Sequence, residues 1–344
     1  MPTTQGDSTE ALPEPRPASG GWRFGLVELA VSGTLLWLIV RRFSFAELKG
    51  QVLQTDATAL IVPFAIILAS NLLGAVQWAW ILRSAGLGGS LRRVLSVYFA
   101  GLFLNNFLLG SMGGDVYKIY RLGRGAGEMG RVAGATIVDR AIGLSALSML
   151  ALGAALAALR GGRVPLHMAL LVLAFSVGIM ACTGLLLHER FGEAASRRLE
   201  GLPLGPFAPR LGRLLGHLRD YRRRFNILNG AFVLSLVIQS SRVLAHYFVG
   251  LAMGWSLHPT DLGKFFLVIP ILGLLVSLPV SIGGWGVREW AGVALFAPMG
   301  HAGQDAVTLL ALTASLNLIA SLVGGIVLLA HAVPAEALDR RRSA

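Results

Sequence analysis

Leu278-Pro279-Val280-Ser281-Ile282-Gly283-Gly284-Trp285-Gly286-Val287-Arg288-Glu289-Trp290 is the stretch on which the reading of this chain turns. Apolar segments flank it on both sides. Pro279 has no backbone donor, and Gly283, Gly284 and Gly286 tolerate positive φ, so a helix arriving from Phe265 breaks here. A broken helix leaves amides and carbonyls without partners. In hydrocarbon such groups persist only when buried in protein or lining a wet cavity. Directly behind the break come Arg288 and Glu289. An ionisable pair at that place points to a polar site inside a membrane protein; the alternative is a tight surface loop with both charges in solvent.

Composition supplies the membrane. Of 344 residues, 54% are apolar and 14% charged, and mean hydropathy is +0.66, well outside the range of soluble domains. The expected fold is an all-α, polytopic integral membrane protein of about seven to nine hydrophobic segments. The net charge of +12 is an arginine excess placed between apolar spans, where cytoplasmic loops meet anionic lipid headgroups. No soluble nucleic-acid module accompanies it, so nucleic acid is not an expected partner. Cys182 is the one cysteine, which leaves no disulfide framework and no thiol cluster for a metal. Neither a metal site nor a cofactor motif is expected.

Residues 1–20 are polar, contain four prolines and lack an apolar signal region, so they read as a disordered tail. A single transmembrane domain occupies 21–334, and a basic tail, 335–344, includes Arg340 to Arg342. The apolar segments are Phe24–Val40, Ala57–Leu82, Val94–Leu109, Arg131–Leu159, Val164–Leu187, Ile227–Met253, Phe265–Ile282, Val287–Met299 and Val307–Val333. Asn71, Gln77, Trp78 and Trp80 make the second too polar for lipid on all sides, so part of it faces other helices. Residues 189–226 form a basic cytoplasmic or interfacial segment. Within it Leu211, Leu214, Leu215, Leu218 and Tyr221 recur at helical spacing among arginines, as in an amphipathic helix on a membrane surface.

A second glycine-rich break follows Asn105 and Asn106: Gly110, Gly113 and Gly114 precede Asp115, Lys118 and Arg121. Lys118 and Arg121 are three apart and would share a helix face. The spacing of a phosphate-cradling P-loop is missing. Asp139 and Arg140 lie about 12 Å into their span at 1.5 Å per residue. Adjacent helix positions do not face each other, so both need partners elsewhere. Gln239, Arg242 and His246 fall at i, i+3 and i+7, one stripe with Arg242 near mid-span. An arginine there needs a carboxylate, a lipid phosphate or water.

The arginine-rich loop and the C-terminus belong in the cytoplasm, on the inner side of the cell's plasma membrane. Paired interrupted helices, one in each half, are the pattern of an inverted-repeat transporter with a central site. Read as re-entrant, the first of them also places the N-terminus in the cytoplasm.

These residues resemble a known family, the flippase-like transmembrane region of lysylphosphatidylglycerol synthases and of many stand-alone membrane proteins. The likeness runs from about residue 24 onward and rests on Asn106 to Arg121, on Val138-Asp139-Arg140, and on Leu278 to Glu289. In two-domain members a cytosolic aminoacyl-transferase domain follows. Here the chain ends soon after its last span, so lipid aminoacylation is not expected of it alone. The resemblance implies movement of lipid between leaflets, with some members tied to hopanoid or polyprenyl-lipid pathways.

The leading expectation is therefore a flippase for an amphipathic lipid with an anionic headgroup or lipid phosphate. Arg242, Arg140, Arg288 and Lys118 would contact phosphate, and Asp115, Asp139 and Glu289 would balance them or carry a coupling proton. The alternative is an integral-membrane transferase on a lipid phosphate, with Asp115 or Glu289 as base or metal ligand. No HExxH, DxD or nucleotide motif supports it, and no enzyme activity is assigned. A homo-oligomer, and association with a lipid-biosynthetic enzyme, stay open as assemblies.

Overall fold

The structure is a computed structural model that describes residues 33–34, 37–38, 41, 45–87, 89–107, 112–124, 128–161, 166–186, 212, 214–218, 221, 224–278, 281, 284–301 and 303–332. All regular elements among them are helical: α1 (Phe45–Gln54), α2 (Ile61–Ser84), α3 (Leu91–Asn105), α4 (Gly113–Gly123), α5 (Met129–Arg160), α6 (Leu166–Leu186), α7 (Phe225–Ala252), α8 (Leu262–Ser277), α9 (Val287–Phe296) and α10 (Gln304–Ala332). The expected tails 1–20 and 335–344, and most of the segment 24–40, lie outside the described residues.

Six described helices are long and apolar enough to cross a membrane: α2, α5, α6, α7, α8 with the 3₁₀ turn before it, and α10. The apolar segments expected at Val94–Leu109 and Val287–Met299 become α3 and α9, of 15 and 10 residues. At 1.5 Å per residue neither reaches across a hydrocarbon core of about 30 Å. Each belongs to a hairpin instead.

The first hairpin is α3 with α4. Gly101 of α3 faces Lys118 and Gly114 of α4, and Asn105 accepts a hydrogen bond from the Gly114 amide at 2.7 Å. These helices run so close that a Cβ on Gly101 would lie 2.9 Å from the Gly114 carbonyl oxygen. The Ser90 side chain starts α3 by accepting from the Arg93 amide. The hairpin's open end lies where α2 stops and α5 starts, since Arg131 donates to the Ala85 carbonyl and Gly123 abuts Met129.

The second hairpin is α8 with α9, and it opens at the other end of the bundle. Phe265 near the start of α8 meets Phe296 at the end of α9, ring centroids 5.6 Å apart, and Trp255 after α7 meets the same ring at 6.1 Å. α2 and α7 run antiparallel through the middle: Trp80 covers Gly230, Ser235 bonds Gln77, and the Ala252 carbonyl accepts from the Asp56 amide.

Exchanging α2–α3–α4–α5 for α7–α8–α9–α10 preserves the packing. α2 packs on α7, α3 on α10, α5 on α8, and each hairpin's second arm packs on the long helix that follows it. The paired interruptions of the sequence thus fall into an inverted arrangement. Gly324 of α10 permits the tightest of these contacts, because a Cβ there would collide with the Phe99 carbonyl.

The helix ends behind Ser277 as expected, with Gly284 at φ 80° and Gly286 at φ 85°. Pro279, Gly283 and Gly110 lie outside the described residues. Gly113 and Gly114 sit in the first turn of α4, and Gly114 permits the close approach of Gly101.

Two apolar clusters hold the bundle. One gathers Trp255, Phe265, Phe296 and Leu309; the other gathers Trp78, Ile81, Val132 and Val138. Leu218 and Tyr221 of the basic segment join the second, and the Tyr221 hydroxyl donates to the Ile81 carbonyl. These two residues of its apolar face pack on the bundle, and most of the segment 189–226, Leu211 included, lies outside the described residues.

Candidate functional site

Between the two clusters lies a cavity of about 440 Å³ bordered by α2, α3, α4, α5, α7, α8, α9 and α10. Its chemistry begins at α4. Asp115 is the third residue of that helix, where a carboxylate is favoured by the helix N-terminus. Its Oδ1 lies 2.6 Å from Lys118 Nζ and its Oδ2 accepts from Arg140 Nε at 2.6 Å. Lys118 is buried, with Nζ 4.9 Å from the ring centroids of both Trp78 and Tyr98. One carboxylate and two aromatic faces thus hold one ammonium.

Asp139, next to Arg140 in the chain, turns to α2 instead. Gln77 Nε2 donates to its Oδ1 at 2.9 Å, and Ser235 of α7 donates to Gln77 Oε1 at 2.9 Å. The polar residues of α2 are spent on this interface and on a 3.2 Å bond from Asn71 to Asn317 of α10. The α7 stripe faces the same space: Gln239, Arg242 and His246 all line it. Arg242 Nη1 approaches Gln239 Oε1 at 3.4 Å. His246 Nδ1 lies 2.8 Å from the Arg242 carbonyl oxygen. A carbonyl only accepts, so Nδ1 carries a proton.

The second break supplies the remaining wall. Glu289 is the third residue of α9, as Asp115 is of α4. Its Oε2 accepts from the Gly286 amide at 2.8 Å, while Oε1 takes Arg288 Nε at 2.9 Å and Nη2 at 2.5 Å. The Arg288 guanidinium also lies 4.6 Å from the Trp285 ring centroid.

Asn105, Asn106, Asp115, Lys118, Asp139, Arg140, Gln239, Arg242, His246 and Arg288 are therefore brought to one cavity from five helices. Arg121 and Glu289 do not line it. Arg121 is exposed one turn beyond Lys118, so the expected shared face divides into a buried and an outer cation. Glu289 is 3% exposed and acts through Arg288 and Gly286. Tyr98, Ser235 and Thr313 also line the cavity, and nothing in their sequence context marks them. No group of three or more His, Cys, Asp or Glu suited to a metal occurs among the described residues. The arrangement is a chamber lined by four cations and two carboxylates.

Comparison with known proteins gives the same reading of the fold. The family model described as the lysylphosphatidylglycerol synthase TM region matches residues 25–325. The chain belongs to that family. A UPF0104 membrane protein of Pyrococcus horikoshii is 23% identical over 331 residues, covering 88% of this chain and 96% of the relative. No solved structure matches. The family match contains both hairpins and every residue that lines the cavity.

Proposed function

We propose that the chain moves an amphipathic lipid with an anionic headgroup between the leaflets of the cell membrane. The observation that carries this reading is the cavity. Four cations and two carboxylates line it at mid-bundle, with Glu289 paired behind Arg288, between hairpins that open at opposite ends. Charges are costly at that depth and are kept where a polar cargo needs them. Inverted halves with interrupted helices around a central site are the geometry of alternating access.

In this reading both hairpins are re-entrant. The basic segment and the end of α10 face the cytoplasm, where positive charge is retained. The headgroup passes through the chamber while acyl chains stay in lipid, and the driving force is an ion gradient, the membrane potential or the lipid gradient. A transferase would need a carboxylate poised as base or metal ligand. Asp115 and Glu289 are both engaged by cations, which favours transport.

The test is reconstitution. Vesicles containing only this protein and a fluorescent phosphatidylglycerol in the inner leaflet should expose the headgroup to an external quencher faster than protein-free vesicles. Equal rates would remove the proposal. Product formation from lipid and a group donor would replace it with the transferase.

A further inference from the structure

Given lipid translocation as proposed above, the distribution of charge in the chamber specifies the cargo more closely. Asp115 is shared by Lys118 and Arg140, which leaves that trio with one excess positive charge. Asp139 lines the same chamber and adds one negative charge, its hydrogen bond being with the neutral Gln77. Together the four residues balance. Glu289 cancels Arg288 at the second break. The seven charged groups sum to one positive charge, and of their cations Arg242 is the one outside every ion pair among the described residues. Its contact is with the uncharged Gln239, and no carboxylate pairs with it among the described residues.

We infer that Arg242 is the anion anchor and that the cargo is a phosphodiester lipid carrying one net negative charge. A single uncompensated cation far from bulk water is destabilised until an anion neutralises it. A phosphodiester monoanion restores neutrality. A phosphate monoester brings a second charge that the chamber does not match. A zwitterion adds an ammonium beside chamber cations. The site also offers the donors that a phosphate needs: the guanidinium fork and the Gln239 amide one turn away, with the His246 ring on the next turn of the same wall.

The experiment uses the full chain purified in an uncharged detergent, with calorimetric titration of dihexanoyl phosphatidylglycerol, phosphatidylcholine and phosphatidic acid. Phosphatidylglycerol should bind at least about tenfold more tightly than phosphatidylcholine. Arg242→Gln should abolish that preference, and Arg242→Lys should retain most of it. Asp139→Asn raises the chamber to two excess positive charges and should move the preference toward phosphatidic acid. That variant removes no cation, so it reads charge matching even where Arg242→Gln fails to fold. Equal binding of the three lipids by the wild-type protein, or an unchanged preference in Asp139→Asn, overturns the inference. Deacylated glycerophosphoglycerol binding as tightly as the lipid assigns the site to a soluble phosphodiester and overturns the lipid assignment. Translocation that persists in vesicles without the preference removes the charge class alone. The preference without translocation removes transport and leaves the charge class standing.

Discussion

Arg140 donates from Nε to Oδ2 of Asp115 at 2.6 Å, across 25 residues, although the carboxylate of Asp139 is its immediate neighbour in the chain. Successive helix positions point about 100° apart, so the pair forms between α5 and α4 and ties the first hairpin to the long helix behind it. Lys118 takes the other oxygen from within α4. Asp115→Ala strands a buried ammonium and should cost about 3–5 kcal/mol, whereas Arg140→Ala leaves Asp115 paired with Lys118 and should cost less. Thermal unfolding of the purified variants measures the difference. Equal losses would show that Lys118 gains nothing from Asp115.

Gly101 and Gly114 place two backbones in contact across the same hairpin. A Cβ on Gly114 would sit 2.6 Å from the Gly101 carbonyl carbon, and backbone cannot rotate away as a side chain can. Gly114→Ala should therefore lower stability by about 1–3 kcal/mol or more, the range of overpacked cores. In α5, a Cβ on Gly153 meets nothing within 4 Å, so Gly153→Ala is the matched control and should fold normally. Size-exclusion profiles after heating distinguish them.

Glu289 does two jobs, and two substitutions separate them. Glu289→Ala removes the acceptor of the Gly286 amide and the countercharge of Arg288 together. It should abolish transport and lower the unfolding temperature. Glu289→Gln keeps an oxygen for the amide and loses only the charge, so it should fold near normally while transport falls by about tenfold, the scale of one mismatched interaction of 1.4 kcal/mol. Wild-type transport in Glu289→Gln would take the carboxylate's charge out of the mechanism.

The chamber predicts a pattern of thiol access. Cys182 is exposed and is the one native cysteine, so Cys182→Ser yields a clean background without disturbing a disulfide. Asn317→Cys faces the cavity and should react with a small charged thiol reagent. Leu309→Cys is wholly buried in the apolar cluster and should not. Protection of Asn317→Cys by lipid would place the cargo in the same chamber, and equal labelling at both positions would contradict the lining described for the cavity.

Much of this was legible beforehand. The break behind Ser277 follows from backbone chemistry that acts within a few residues. The stripe of Gln239, Arg242 and His246 follows from helical spacing and forms one wall as drawn. The partners were not legible. Nothing local tells Asp139 to choose Gln77, or Arg140 to choose Asp115. The partners of Leu218 and Tyr221 were hidden for a related reason: an apolar stripe looks alike whether lipid or protein covers it, and at these two residues the ends of α2 and α5 do.

Local rules on the chain therefore set its class, its helices and the place of its interruptions, because hydropathy, helix period and glycine freedom all act at short range. Folding in three dimensions decided which charges cancel and which one is left over. Contacts such as Asn71 with Asn317, 246 residues apart, arise from the antiparallel packing of two inverted halves, and that leaves no periodic trace in the order of residues.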